Sequence, residues 1–180
     1  MNGAADGEQV AAALGRALAR LVFVDLGTDA VTARIIDAVA GWAGDQGWRV
    51  YRRAPSVLPL PPPLSGRQSV LDVACARPDG PPVVVEVDHT DRGRTWAKLA
   101  AEAEAGRVAV WVRWGPGRFV APPPPIHLVT CEVTRRNGPA GRLHTRTRDV
   151  HRPAPEHSAG GAAGTVAEPL PLPALDLDVP

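Results

Sequence analysis

Apolar residues recur at helical spacing twice in the first fifty positions. Over 8–21 (EQVAAALGRALARL), Val10, Leu14, Leu18 and Leu21 fall on one face and predict a short amphipathic helix. From 28 to about 44, Val31, Ile35, Ala38, Val39 and Trp42 share a face. Thr28 stands where an N-cap belongs and Asp29 where an acid suits the first turn. The run LVFVDLG between the two breaks the period and reads as a linker. From residue 48 the apolar period shortens. WRVYRRA (48–54) predicts a first strand, SVLDVACA (69–76) and PVVVEVD (82–88) two more, and the Pro-Asp-Gly core between the latter two makes them a hairpin. TWAKLAAEAEAG predicts a helix from about 95, with Trp96, Leu99, Ala100 and Ala103 as its apolar stripe and Gly106 ending it. RVAVWVRW (107–114) is nearly all apolar and therefore central in a sheet. IHLVTCEVT (126–134) is a further strand, and RRNGPAGRLHTRT an arginine-rich connection or weak hairpin.

The order helix, helix, three strands, helix, two strands describes an α/β fold, a mixed sheet of four or five strands flanked by helices. Proline changes the picture in two places. Five prolines between 55 and 63 lack the N–H that a ladder needs, so PSVLPLPPPLSG reads as a loop, as does GPGRFVAPPPP. From 151 the chain holds six prolines, many small residues and no aromatic, so the expectation there is a disordered tail. The organisation expected is an N-terminal helix and linker (1–27), an α/β domain (28–150) and that tail (151–180). A length of 180 residues excludes two large domains.

Charge is balanced overall, 20 basic residues against 19 acids, which argues against a wholly basic nucleic-acid coat. By segment it is not: residues 48–150 carry 16 basic and 9 acidic side chains, +7, between flanks of −3 each. Nineteen of the basic residues are arginine, and Lys98 is the only lysine. Codon bias accounts for the arginines and makes the surviving lysine conspicuous. Cys75 and Cys131 lie in strand-like runs without metal or redox spacing and are expected as buried free thiols. Neither a signal-peptide pattern nor an apolar run long enough to span a bilayer is present, so the expectation is a cytoplasmic protein without membrane contact. Walker, dinucleotide-binding, Gly-x-Ser-x-Gly and His-Glu-x-x-His motifs are absent.

Three acids interrupt the apolar strands and need compensation, because a buried carboxylate is costly. Glu86 and Asp88 share a face of their strand, and hairpin pairing brings Asp72 toward Glu86. Three carboxylates are thus expected to converge near one sheet edge, where oxygen ligands suit a hard cation such as Mg2+ or Mn2+. Folding the next helix back onto the sheet sets Lys98 beside them, and His89 adjoins them as a candidate base. Arg52, Arg53, Arg92, Arg94 and Arg113, with Arg67, Arg118, Arg135 and Arg136, lie in loops or at strand ends around this site, where they suit phosphate contacts.

Asp72, then Glu86-Val87-Asp88 closing a valine strand, then a helix and the strand VAVWV resemble the core of the PD-(D/E)XK, restriction-endonuclease-like nucleases. The resemblance covers about 28–114 and implies an α-β-β-β-α-β core. It also implies a Mg2+- or Mn2+-dependent endonuclease acting on DNA, with Asp72 and Glu86 as metal ligands. Asp88 stands where that family carries its lysine, and Lys98 resembles a migrated one. Asp37 on the preceding helix resembles the extra acidic ligand of some members. Two readings stay open, an active nuclease with Asp72, Glu86, Asp88 and Lys98 as catalytic set, or a catalytically inactive nuclease-fold module binding nucleic acid or a protein. Plainer roles compete for each residue: Asp72 as a solvent-facing strand residue, Asp88 as a strand cap, Lys98 paired with Glu102 at i, i+4, and Trp96, Trp111 and Trp114 as core.

Overall fold

Residues 3–139 and 141–147 are described by the computed structural model. In chain order they form α1 (Gly3–Leu18), β1 (Phe23–Gly27), α2 (Thr28–Asp45), β2 (Arg49–Pro59), β3 (Gln68–Ala76) and β4 (Val83–Asp88), followed by α3 (Gly93–Glu104), β5 (Val108–Gly115), β6 (His127–Glu132), β7 (Thr134–Gly138) and β8 (Gly141–Arg146). Strands β2-β3-β4-β5-β6 make one five-stranded mixed sheet, antiparallel from β2 to β4 and parallel from β4 to β6. Strands β1-β8-β7 make a separate antiparallel sheet. The α/β class and the mixed five-stranded sheet are as the sequence pattern predicts; the second sheet is not. The tail expected from 151 lies outside the described residues. No helix among them is long and apolar enough to cross a membrane.

Both faces of the large sheet are covered, which explains why its middle strands are near-continuous valine. Every residue of β4 and β5 is buried. One face, with Val73, Val83, Val85, Val87, Val110, Val112 and Trp114, packs on Leu14 and Leu18 of α1 and Val31, Ile35 and Val39 of α2. The other, with Leu71, Val84, Ala109 and Trp111, packs on Leu99 of α3. Each fully buried aliphatic chain contributes roughly 1.5–3 kcal/mol. Cys75 and Cys131 are buried free thiols, and burial pushes Cys75 up to about 11.

Four local expectations are overturned. Residues 23–27 are not a linker: they pair with β8, and α1 before them belongs to the main core. Thr28 is not the N-cap of α2; Gly27 is, without a side-chain bond, while the Thr28 hydroxyl meets His144 Nε2 at 3.3 Å. On α3 the expected stripe holds for Leu99, Ala100 and Ala103, which pack on the core, but not for Trp96, which is 43% exposed, while Thr95, Lys98 and Glu102 are buried beside it.

The fourth concerns proline. β2 continues through Pro55 and Pro59, opposite Val70 and Gln68. It can do so because β2 is an edge strand, laddered on one side only, where a missing N–H is tolerated. The edge is secured from α3 by Glu102, which is 0% exposed. Its Oε1 accepts the Ser56 hydroxyl at 2.6 Å and the Val57 N–H at 2.8 Å, and Oε2 accepts Arg107. Glu102 therefore does not pair with Lys98. Removing Glu102 strands two donors and a cation. Glu102→Ala is expected to cost about 3–5 kcal/mol in urea unfolding, Glu102→Gln less because the amide still accepts, and Trp96→Ala about 1 kcal/mol or less.

Candidate functional site

The site begins where β3 and β4 part. Their ladder holds Cys75↔Val83, Ala74↔Val84 and Val73↔Val85. Beyond it, side chains take over the hydrogen bonding. The Val87 N–H donates to Asp72 Oδ2 at 2.9 Å, and the Asp72 N–H donates to Glu86 Oε1 at 3.2 Å. Val73 and Cys75 pack on the α1/α2 side while Leu71 packs on the α3 side, so the strand's alternation breaks at Asp72. On β2, the residue between the pairs Arg52↔Val73 and Ala54↔Leu71 is Arg53, held at φ 52°, a left-handed conformation uncommon for arginine.

Helix α3 brings Lys98 over this gap. Its Nζ lies 2.9 Å from Glu86 Oε2 and donates to the Val70 carbonyl at 2.6 Å, with the lysine only 8% exposed. Asp72, Glu86, Asp88, His89, Lys98, Arg92 and Arg94 all line one open cleft of about 530 Å³, bounded on the far side by Asp29, Thr32, Ala33 and Ile36 of α2. The cleft thus opens at the end of β4 between the helices that cover the two sheet faces.

The expected convergence of three carboxylates is realised only for two. Asp88 is two residues along, roughly 6–7 Å of strand, where the Trp111 indole N–H donates to its Oδ2 at 3.1 Å and Arg92 Nε lies 4.0 Å from Oδ1. Among the described residues no three His, Cys, Asp or Glu side chains are grouped so as to hold a metal ion. Asp88 nonetheless lines the same cleft, and its charge adds to the rise in the Asp72 pKa. Asp37 does not line the cleft: it is exposed on α2 and paired with Arg52, which does not line it. Arg113 is not a free cation: it is buried, stacked on Trp111 and Phe119 at 4.7 and 5.2 Å, and 3.6 Å from Asp91.

Asp29 and Thr32 are cleft residues that the sequence pattern did not single out. Their signal, an acid in the first turn of a helix, is indistinguishable from ordinary helix-end electrostatics. His89 is exposed at the cleft, its ring 5.3 Å from that of Trp114. Burial raises the Asp72 pKa against the opposing pull of the Val87 N–H and Lys98. Burial likewise pushes Glu86 up to about 7, with Asp72 adding to the rise and Lys98 opposing it. Two carboxyl groups thus share a largely buried corner of the cleft with one ammonium. Comparison of the chain with protein-family models, curated proteins and solved structures finds no match.

The Glu86 shift has a thermodynamic sign. The native state holds this proton more tightly than the unfolded chain, whose value is near 4.5, so stability is fullest below about pH 4.5 and falls as pH rises through about 7. The native protein is expected to lose about 3 kcal/mol over that window from this group, in metal-free buffer. Denaturant unfolding at pH 5 and pH 8 checks it: Glu86→Gln should show that much less decline than the native chain.

Proposed function

We propose that this chain is a divalent-metal-dependent endonuclease-like protein that hydrolyses phosphodiester bonds in DNA, with a restriction-endonuclease-like core of the PD-(D/E)XK kind. The observation that carries the reading is the meeting of Asp72, Glu86 and Lys98 in one open cleft. Mg2+ commonly keeps several waters and takes only one or two carboxylates from the protein, so the Asp72–Glu86 pair suits it without a third ligand. Both acids line the cleft with carboxyl oxygens, which is the donor chemistry such a cation fits. When bound there, the ion supplies a nucleophilic water at neutral pH and offsets charge on the phosphate.

The chain's own groups do the rest. Lys98, fixed at 2.9 Å from Glu86 and by the Val70 carbonyl, presents a positive charge to the negative charge growing on phosphorus oxygens. Asp88, oriented by the Trp111 indole, borders the same space as a water-orienting acid. Arg92 and Arg94, at the start of α3, hold the flanking phosphates, and Arg53 adds positive field at Asp72. A lysine on the helix in place of one two residues after Glu86 serves the same charge from a different element.

One observation favours the second reading, a catalytically inactive nuclease-fold module that binds nucleic acid or a protein. Lys98 already neutralises Glu86, so the corner holds a resident cation of its own. The two readings part in solution. For an active site, supercoiled plasmid is nicked with Mn2+ or Mg2+, Glu86→Ala and Lys98→Ala lose about 100-fold or more, and metal raises the melting temperature by mass action. Retention of DNA at low salt with neither nicking nor metal stabilisation establishes the inactive module instead.

A further inference from the structure

Many of the arginines in this chain are already neutralised. Arg52 pairs with Asp37, Arg77 with Asp6, Arg107 with Glu102, Arg113 with Asp91 and Arg136 with Asp25, and the exposed Arg92 lies at the 4.0 Å limit from Asp88. The β7–β8 hairpin sorts its own cations by face. Its register sets Arg135 opposite His144 and Asn137 opposite Arg142, so Arg135, Arg142 and His144 share one face. Arg136, Leu143, Thr134 and Thr145 share the other, where Asp25 holds Arg136 in a two-pronged bridge at 2.8 and 2.6 Å.

The inner end of the first face is joined to the cleft wall through two ring contacts. His144 is buried, its ring edge-on to Trp114 at 5.0 Å, and the other neighbour of Trp114 is the cleft residue His89. Beside His144 and toward the hairpin tip the same face is open and carries the exposed Arg135 and Arg142. They are diagonal neighbours of like charge, close enough for their long side chains to act on one anion. Among the described residues no carboxylate pairs with either. Their field extends inward: the His144 pKa is lowered by burial first, then by Arg135, His89 and Arg142.

We propose that this face of the β7–β8 hairpin is a second phosphate-binding rim of the cleft, which engages the DNA backbone on the α2 side while Arg92 and Arg94 engage it on the α3 side. The inference rests on the DNA reading above and narrows the substrate class to a polynucleotide, since the two rims lie on different layers of the fold and an isolated phosphodiester cannot touch both.

The test is the salt dependence of binding. Affinity of the full chain for a fluorescein-labelled 30-base-pair duplex is measured by anisotropy between about 50 and 300 mM KCl, for the native protein, Arg135→Gln/Arg142→Gln, and a control that removes equal charge elsewhere, Arg16→Gln/Arg20→Gln on the α1 side. The hairpin variant is expected to bind about tenfold or more weakly at 100 mM, with the slope of log K against log salt shallower by about 1.8, the release of two counterion equivalents. The control keeps the native slope. An unchanged slope in the hairpin variant, or an equal change in the control, overturns the rim. If the native protein nicks plasmid while the hairpin slope is unchanged, the rim alone falls; if the native protein does not bind duplex at 50 mM, the rim and the DNA reading fall together.

Discussion

Covering both faces of a sheet makes every charge inside it a liability, and that constraint organises this molecule. Layers of apolar side chains from α1 and α2 on one side and α3 on the other leave β4 and β5 without solvent. Glu86, Asp88, Glu102, Lys98 and Arg113 are nonetheless buried there. Each has a specific partner: Lys98 for Glu86, Trp111 for Asp88, Arg107 and Ser56 for Glu102, and two aromatic rings for Arg113. A buried ion pair contributes little net stability compared with an apolar pair of the same size, whereas losing one member is severe.

The two charged groups on α3 show the difference between holding and acting. Glu102 substitutes for a missing neighbour strand along the proline-bearing end of β2, and both its oxygens are consumed. One turn earlier Lys98 points at Glu86, whose surroundings open into the cleft. Glu102 closes an edge; Lys98 borders a space. The opening itself follows from the parting of β3 and β4, because strands that stop pairing leave backbone groups to be satisfied, and here Asp72 and Glu86, both lining the cleft, satisfy them.

Much of the fold was legible from period alone. The positions of α2, β3, β4, α3 and β5, and the hairpin of β3 with β4, follow from alternation, turn residues and glycine stops, which act within a few residues of one another. The errors share a cause. Whether Pro55 and Pro59 end a strand depends on whether that strand is an edge, and whether 23–27 is linker or strand depends on a partner about 120 residues away. On α3 the apolar period found Leu99, Ala100 and Ala103 but missed the buried Lys98 and Glu102 and wrongly included Trp96, because partners on other elements draw charged residues inward.

For the site, the sequence by itself determined which residues were anomalous: acids within valine strands, and one lysine among nineteen arginines. Alternation along a single strand placed Glu86 and Asp88 on one face, a consequence of local backbone geometry. Only the tertiary structure decided which anomalies meet. It joined Asp72, Glu86 and Lys98, withdrew Asp88 to an indole, buried Arg113, gave Arg52 and Asp37 to each other, and added Asp29 from the opposite wall. The physical reason is that a side chain's charge is spent on whichever partner lies within about 3–4 Å, and that distance is set by packing between elements rather than by spacing along the chain.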